Sequence, residues 1–327
     1  MSNIAAFAAR TEHLNEENSD NISTYPFIPQ TSESMEVSWK FEDAVSDGGL
    51  RRWYTVLQKY DQFCKGTRRD CIFVADIFRP AVLDGNEKIV RNTKRDNTIE
   101  KVLVPRLKYL SQLNSSWSAG YSNWFYAPYG DTGDFFWMPP SIKAAGVYMY
   151  TDAYFHPWDA PAGMTRGVVP DVYDVSFNPM NDEAGRFYQQ AWNYAVSYPV
   201  EGIVLEGQKT FQLNKTALDR INVRRLMIWL EKNITAVARR FLYEGNTEYM
   251  RQRFLDTIEP ILEEAKVGNG IIDYAVRCDE ELNTPDVIDR NELRCIIAIK
   301  PVKTIEWIKL NLICTNQRAD VNEEVMK

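Results

Sequence analysis

The chain has 327 residues and a mass of 37.9 kDa, enough for about two domains that each bury a real core. Apolar residues make up 45% and charged residues 25%, ordinary globular usage that excludes wholesale disorder, collagen and coiled coil. The formal charge of -7 lies entirely in residues 1–47, where nine acids face two bases; the other residues balance at 36 of each sign, so the body lacks the basic field a nucleic-acid partner requires.

Residues 1–34 are polar and carry Pro26 and Pro29, which predicts an arm without a core of its own. Met35, Val37, Trp39 and Phe41 then alternate with polar neighbours, the period of a strand with one buried face that needs a sheet to join. From Asp47 the pattern reads as α/β. Leu50, Trp53, Tyr54, Leu57, Tyr60 and Phe63 recur at helical spacing, and residues 71–78 form a continuous apolar strand of the kind covered on both faces. Residues 84–98 are a polar loop, and residues 99–113 predict a helix interrupted near Pro105.

Residues 117–158 are unusually aromatic, from Trp117 to Trp158. The cluster is read first as core and interface packing, with a sugar- or base-stacking platform as the alternative; one base against three acids disfavours nucleic acid there. Pro139 and Pro140 open a helix over 141–155, residues 163–174 read as loop and strand, residues 182–196 as a helix capped by Asn181 or Asp182, and residues 201–211 as a strand.

Val223, Leu226, Met227, Leu230, Ile234, Val237, Ala238 and Phe241 make one stripe of a six-turn helix, with Asp219 as its cap and Gly245 at its end. Arg224, Arg225, Glu231, Lys232, Arg239 and Arg240 fall on the other face, read as solvated or as a basic docking surface for an acidic partner. A second helix spans 247–266, with Pro260 predicted to bend it and Gly268 and Gly270 to close it. Three alternating strands follow: Ile272, Tyr274, Val276 and Cys278; Leu293, Cys295, Ile297 and Ile299; Ile308, Leu310, Leu312 and Cys314. Thr284 and Pro285 form a cap-then-proline turn between the first two. The tail from Asn316 has no visible place in that meander.

Little chemistry is on offer. No run approaches the ~18 apolar residues of a membrane helix, and no signal segment precedes the body, so direct membrane insertion is not expected. The five cysteines lack CxxC spacing, and with only His13 and His156 a zinc site is not expected. His156, between Phe155 and Pro157, reads as a packed or orienting ring rather than a catalytic base. Phosphate-cradling loops are missing, so no cofactor is predicted. A paired-carboxylate glycosidase stays open on composition alone, and a carbohydrate-binding or glycoside-cleaving protein using the 117–158 aromatics is the alternative function.

Residues 219–226 read DRINVRRL, residues 276–292 read VRCDEELNTPDVIDRNE, and residues 300–312 read KPVKTIEWIKLNL. In this order, with two helices between the first pair and the strand EGIVLEGQKT at 201–210 before them, these segments resemble the C-terminal module of contractile tail sheath proteins of T-even-type myoviruses. A weaker similarity extends back to about Gly48. The resemblance implies an α/β fold with an α+β C-terminal module: a mixed sheet flanked by helices, then two helices and a three-stranded antiparallel sheet completed by strands from neighbouring subunits. The implied organisation is an acidic arm at 1–47, an aromatic-rich α/β domain at 48–200, the sheath module at 201–315 and a C-terminal arm at 316–327.

The implied role is structural rather than enzymatic. Subunits of this family stack as rings around an inner tube protein, between a baseplate and a tail terminator, and shorten when triggered. They would sit in the virion tail after assembly in the host cytoplasm. Ile272, Tyr274, Val276, Leu293, Ile297, Ile308, Leu310 and Leu312 would form the strand acceptor. Val37, Trp39 and Phe41, together with Asn316, Arg318 and Asp320, would belong to donor arms. Thr284, Pro285 and Asp289 would fix the loop between acceptor strands, and Arg224, Arg225, Arg239 and Arg240 would face the tube or a neighbour. T-even-type subunits are longer, so the resemblance implies either a sheath split between two polypeptides or a compact version in which residues 1–47 act as the arm.

Overall fold

The computed structural model describes residues 47–76, 113–128, 133, 135–179 and 181–306, the side chains of 47–53 and 181 aside. The predicted strand at 35–41, the helix at 99–113 apart from Leu113, the third strand of the meander and the C-terminal arm lie outside these residues.

Helix α1 (Asp47–Gln62) runs into a π-helical turn, Phe63–Arg68, and leads to strand β1 (Phe73–Asp76). Strand β1 is the edge of a four-stranded sheet ordered β1-β2-β6-β7, in which β2 is Ser118–Tyr121, β6 is Trp192–Tyr198 and β7 is Gly202–Glu206. The first two pairings are parallel and the last is antiparallel, so the sheet is mixed. The apolar run predicted for β1 is buried on both faces, and its alternation explains how. Phe73 and Ala75 pack with Leu57 of α1, Phe187, Trp192 and Phe211. Ile72 and Val74 pack on the other side with Ala144, Val147 and Tyr148 of helix α2 (Pro140–Tyr154) and with Ile221.

A second, antiparallel sheet, ordered β4-β3-β5, joins β3 (Phe125–Pro128), β4 (Phe135–Met138) and β5 (Asp174–Val175). Its aromatics pack on one another, with Tyr126 stacked on Phe135 at 5.4 Å. Helix α2 has Pro139 as its N-cap and therefore no side-chain cap of its own. Asp76, at the end of β1, supplies one: its carboxylate accepts from the Ser141 N–H at 2.5 Å and from the Ser141 hydroxyl at 2.7 Å. Buried amides stitch the sheets in the same way. Asn193 accepts from the Lys209 N–H and donates to the carbonyls of Gly120 and Lys209. Gly120 itself can be nothing larger, because an added Cβ would lie 2.4 Å from the Phe211 ring.

Helix α3 (Gly163–Arg166) is a single turn, and helix α4 (Asn181–Gln189) follows β5. The helix expected over 182–196 is therefore corrected: its second half is strand β6. Ala184, Phe187, Tyr188, Trp192 and Ala195 fit a helical stripe as well as a helix followed by a strand. Ala191 decides it by turning into the left-handed region at φ 60°, and β6 then pairs with β2 at Trp192 and Asn193 and with β7 from Tyr194 to Tyr198. The strand predicted over 201–211 shortens to β7, and the chain continues as a loop.

Helix α5 (Ile221–Ala238) is followed by a tight turn, Arg239–Phe241, and by helix α6 (Glu248–Val267). Asp219 is not the cap of α5: it ends a 3-10 turn, Ala217–Asp219, and pairs with Arg220, which occupies the N-cap. Gly268 closes α6 as predicted, and at the other end the Thr247 hydroxyl accepts from the Met250 N–H. The helix continues through Pro260. Strands β8 (Ile271–Arg277) and β9 (Ile296–Pro301) then form a two-stranded antiparallel hairpin, interrupted by the short helix α7 (Pro285–Asp289), which has Pro285 at its first turn as predicted.

Gly268 and Gly270 do more than end α6. The Trp158 indole lies against both, so an added Cβ would come within 2.6 and 2.8 Å of it, and its Nε1 donates to the Gly268 carbonyl at 2.8 Å. His156 stacks flat on the same indole at 4.6 Å while its own surface stays exposed.

Candidate assembly interface

One face of the β8–β9 hairpin is built from the residues that alternate inward. Tyr274 lies opposite Ile299 and Val276 opposite Ile297, and all four pack on Leu226 and Leu230 of α5 and on Leu262 and Ala265 of α6. The outward pairs are Asp273 with Lys300, Ala275 with Ala298 and Arg277 with Ile296. Opposite charges face each other across the first pair, which favours this register. Two strands alone are marginal in water, and here two helices cover one face. Among the described residues no third strand lies beside β8 or β9, so the outer backbone edge of each strand has no ladder partner.

Of the predicted acceptor residues, Tyr274, Val276 and Ile297 sit together on the covered face. Ile272 does not: the register shifts between Ile271 and Asp273, Ile271 takes the inward position, and Ile272 stands 51% exposed. Leu293 and Cys295 precede β9 rather than forming part of it, and Leu293 is 43% exposed. Ile308, Leu310 and Leu312 lie outside the described residues, as do Val37, Trp39, Phe41, Asn316, Arg318 and Asp320.

The arginine face needs a larger correction. Arg224 and Arg225 are 7% and 6% exposed and are not available to a tube or a neighbour through their side chains. The first two turns of α5 are buried all round, because the helix enters between the body and the hairpin, so the amphipathic stripe fails to mark a solvent side there. Arg225 pairs with Asp152 of α2, donates to the Tyr148 carbonyl at 3.3 Å and lies 5.0 Å from the Tyr148 ring centre. Arg224 donates to the Ser116 hydroxyl and lies 4.2 Å over the Trp117 ring, while burial lowers its pKa to about 10, still charged at neutral pH. Arg239 and Arg240, in the turn after α5, are exposed.

Sequence reasoning missed the side chains that shape the hairpin's two ends. Asn283 is buried and closes the neck of the long loop: its amide donates to the carbonyls of Asp279 and Arg294 at 3.0 Å, and its oxygen accepts from the Arg294 N–H at 2.8 Å. Arg251 of α6 is buried beside it and donates to Asn246, whose amide holds the Glu292 carbonyl. At the other end, Arg220 grips Glu306 through two hydrogen bonds, and Gln208 donates to the Thr304 hydroxyl. Burial pulls the Arg220 guanidinium down, but the Glu306 carboxylate together with Tyr188 and Asp219 outweighs it and the net shift is upward. The chain leaving β9 is thus tied back to the α/β body. No periodic signal marks these residues, since each works through a partner distant in sequence.

Comparison with known proteins matches residues 214–315 to the family model of the phage tail sheath C-terminal domain. The chain is 38% identical over 187 residues to the tail sheath protein of Vibrio phage KVP40, covering 57% of this chain and 28% of that protein. It is 34% identical over 213 residues to the tail sheath protein of Enterobacteria phage T4, covering 64% of this chain and 32% of that protein. It thus spans about a third of the length of these relatives. In fold it is similar to a sheath complex of an extracellular contractile injection system in the contracted state, with a TM-score of 0.64 at 20% identity over 83% of this chain and 69% of the other. It is likewise similar to the contracted helical sheath of the anti-feeding prophage, with a TM-score of 0.60 at 19% identity over 82% of this chain and 67% of the other. Residues 214–315 thus match the phage tail sheath C-terminal domain, and the chain is similar in sequence to phage tail sheath proteins and in fold to contractile sheath structures.

Proposed function

We propose that this chain is a structural, non-catalytic subunit of a contractile tail sheath, polymerising with copies of itself around an inner tube whose passage through the host envelope it drives. The observation that carries the reading is the match of residues 214–315 to the sheath C-terminal domain. The physical arrangement supports it. Among the described residues the hairpin is covered by α5 and α6 on one face and has no third strand on its backbone edges, an arrangement that an incoming strand completes.

Strand addition joins subunits through backbone hydrogen bonds that depend little on side-chain detail, so neighbours swing about the connecting segments while each joint survives. In this reading β8 and β9 are acceptor strands, and residues 35–41 and 316–327 supply donor arms. The tube, the baseplate, a terminator and a second sheath polypeptide are the partners, in a virion tail assembled in the host cytoplasm. Arg239 and Arg240 remain candidates for contact with the tube or a neighbour. The carbohydrate reading has no comparable support: Trp117, Trp124, Trp137 and Trp158, the rings a stacking platform would need most, are buried.

Negative-stain imaging of the purified chain, alone and mixed with tube protein, tests the proposal. Rings or helical tubes are the expected outcome. A monomer under every condition, at concentrations well above those of assembly in a cell, contradicts it.

A further inference from the structure

Cys64 and Cys71 bracket the turn that joins α1 to β1. Their Sγ atoms are 3.6 Å apart, in contact but unbonded. The chain reverses between them through Arg69, in the left-handed region at φ 56°, whose N–H donates to the Cys64 carbonyl at 2.9 Å. Outside the turn, Arg68 and Asp70 are joined by two hydrogen bonds of 2.9 and 3.0 Å. Both sulfurs belong to the core cluster of Leu57, Phe73 and Trp117. Cys64 has no exposed surface, whereas Cys71 retains 9%. The pair lies in the α/β body, and neither thiol takes part in the hairpin or its covering helices.

We propose that Cys64 and Cys71 form a dithiol modification site that a small hydroperoxide converts to an intrachain disulfide, closing the turn between α1 and β1. An S–S bond is about 2.0 Å long, so each sulfur need move only about 0.8 Å from its present place. The two thiols are also unequal. The hydrogen bond with Cys64, reinforced by Arg68, holds Cys71 below the usual thiol range against the effect of burial, while the same bond, burial and the nearby Asp61 push Cys64 up. Cys71, more reactive and more accessible, is the attacking sulfur, and Cys64 is the resolving one.

The Cys71 thiolate attacks the outer peroxide oxygen and breaks the O–O bond. The departing oxygen takes a proton and leaves as an alcohol, or as water from hydrogen peroxide, and Cys71 becomes a sulfenic acid. The Cys64 sulfur then gives up its proton and attacks the Cys71 sulfur, and the hydroxyl leaves as water. Two thiols are oxidised by two electrons and one peroxide is reduced. Burial keeps larger disulfide reagents away, which is why a small hydroperoxide is the oxidant named.

The test uses the full chain, prepared reduced, exposed to hydrogen peroxide, denatured, alkylated and mapped by mass spectrometry. The expected product joins the peptides holding Cys64 and Cys71 with the loss of two hydrogens, and its Tm rises by several degrees over the reduced chain. In Cys64→Ser, Cys71 is captured by dimedone as the sulfenic acid; in Cys71→Ser, Cys64 stays alkylatable after the same exposure. Both thiols remaining alkylatable in the treated wild-type chain overturns the proposal, as does a bond formed between copies rather than within one. The wild-type mapping decides the matter whether or not the serine variants fold, and assembly into tubes has no bearing on it.

Discussion

Arg225 and Gly268 are the residues where the body meets the hairpin module, and each gives a test that separates structural from docking roles. Arg225 is buried among Asp152, Tyr148 and its own helix, so Arg225→Ala strands a half-exposed carboxylate and removes a packed stem. It is expected to destabilise the folded monomer by about 2–4 kcal/mol, read as a lower urea midpoint at unchanged m-value. A variant with the wild-type midpoint but no assembly would return Arg225 to the contact role its helical position had suggested. Gly268→Ala places a Cβ 2.6 Å from the Trp158 ring and is expected to cost about 1–3 kcal/mol as the indole shifts. Quenched or shifted tryptophan emission should accompany the loss; an unchanged spectrum and midpoint would mean the ring yields freely.

At the scale of elements, the hairpin depends on a loop neck that Asn283 closes with three hydrogen bonds. Asn283→Ala removes three hydrogen bonds and is expected to weaken the segment by about 2–3 kcal/mol. Amide exchange should quicken across residues 278–295 while β1 and β2 stay protected; uniform protection would show that α7 and Val287 hold the neck without it. The inward set Tyr274, Val276, Ile297 and Ile299 was legible because a period of two survives along β8 and β9 after Asp273. Ile272 was misplaced because a bulge adds one residue, and a single-residue slip moves a side chain to the other face. The end of α4 was hidden for a related reason: Trp192 and Ala195 fit either period, and only the φ of Ala191 chose between them. Asn283, Arg251 and the grip of Arg220 on Glu306 had no periodic signature, since each has a partner 11 or more residues away: Arg294, Glu280 and Glu306.

For the whole molecule, the α/β body offers a frame with both faces of its mixed sheet covered, and the C-terminal module, among the described residues, a two-stranded sheet covered on one face. The ties of Gln208 to Thr304 and of Arg220 to Glu306 anchor the chain as it leaves β9, so whatever follows departs from a fixed point on the body. Deleting residues 316–327 is therefore expected to leave the thermal unfolding of the monomer within a few degrees of wild type while abolishing tubes in negative-stain images; tubes of normal appearance from the truncated chain would remove the donor role from that arm. The central claim is that copies of this chain are joined by lending strands to the β8–β9 hairpin. A cryo-EM map of the assembled polymer tests it most directly: the account predicts a strand from an adjacent subunit hydrogen-bonded along an outer edge of β8 or β9, and a map in which every terminal segment returns to its own body would contradict it.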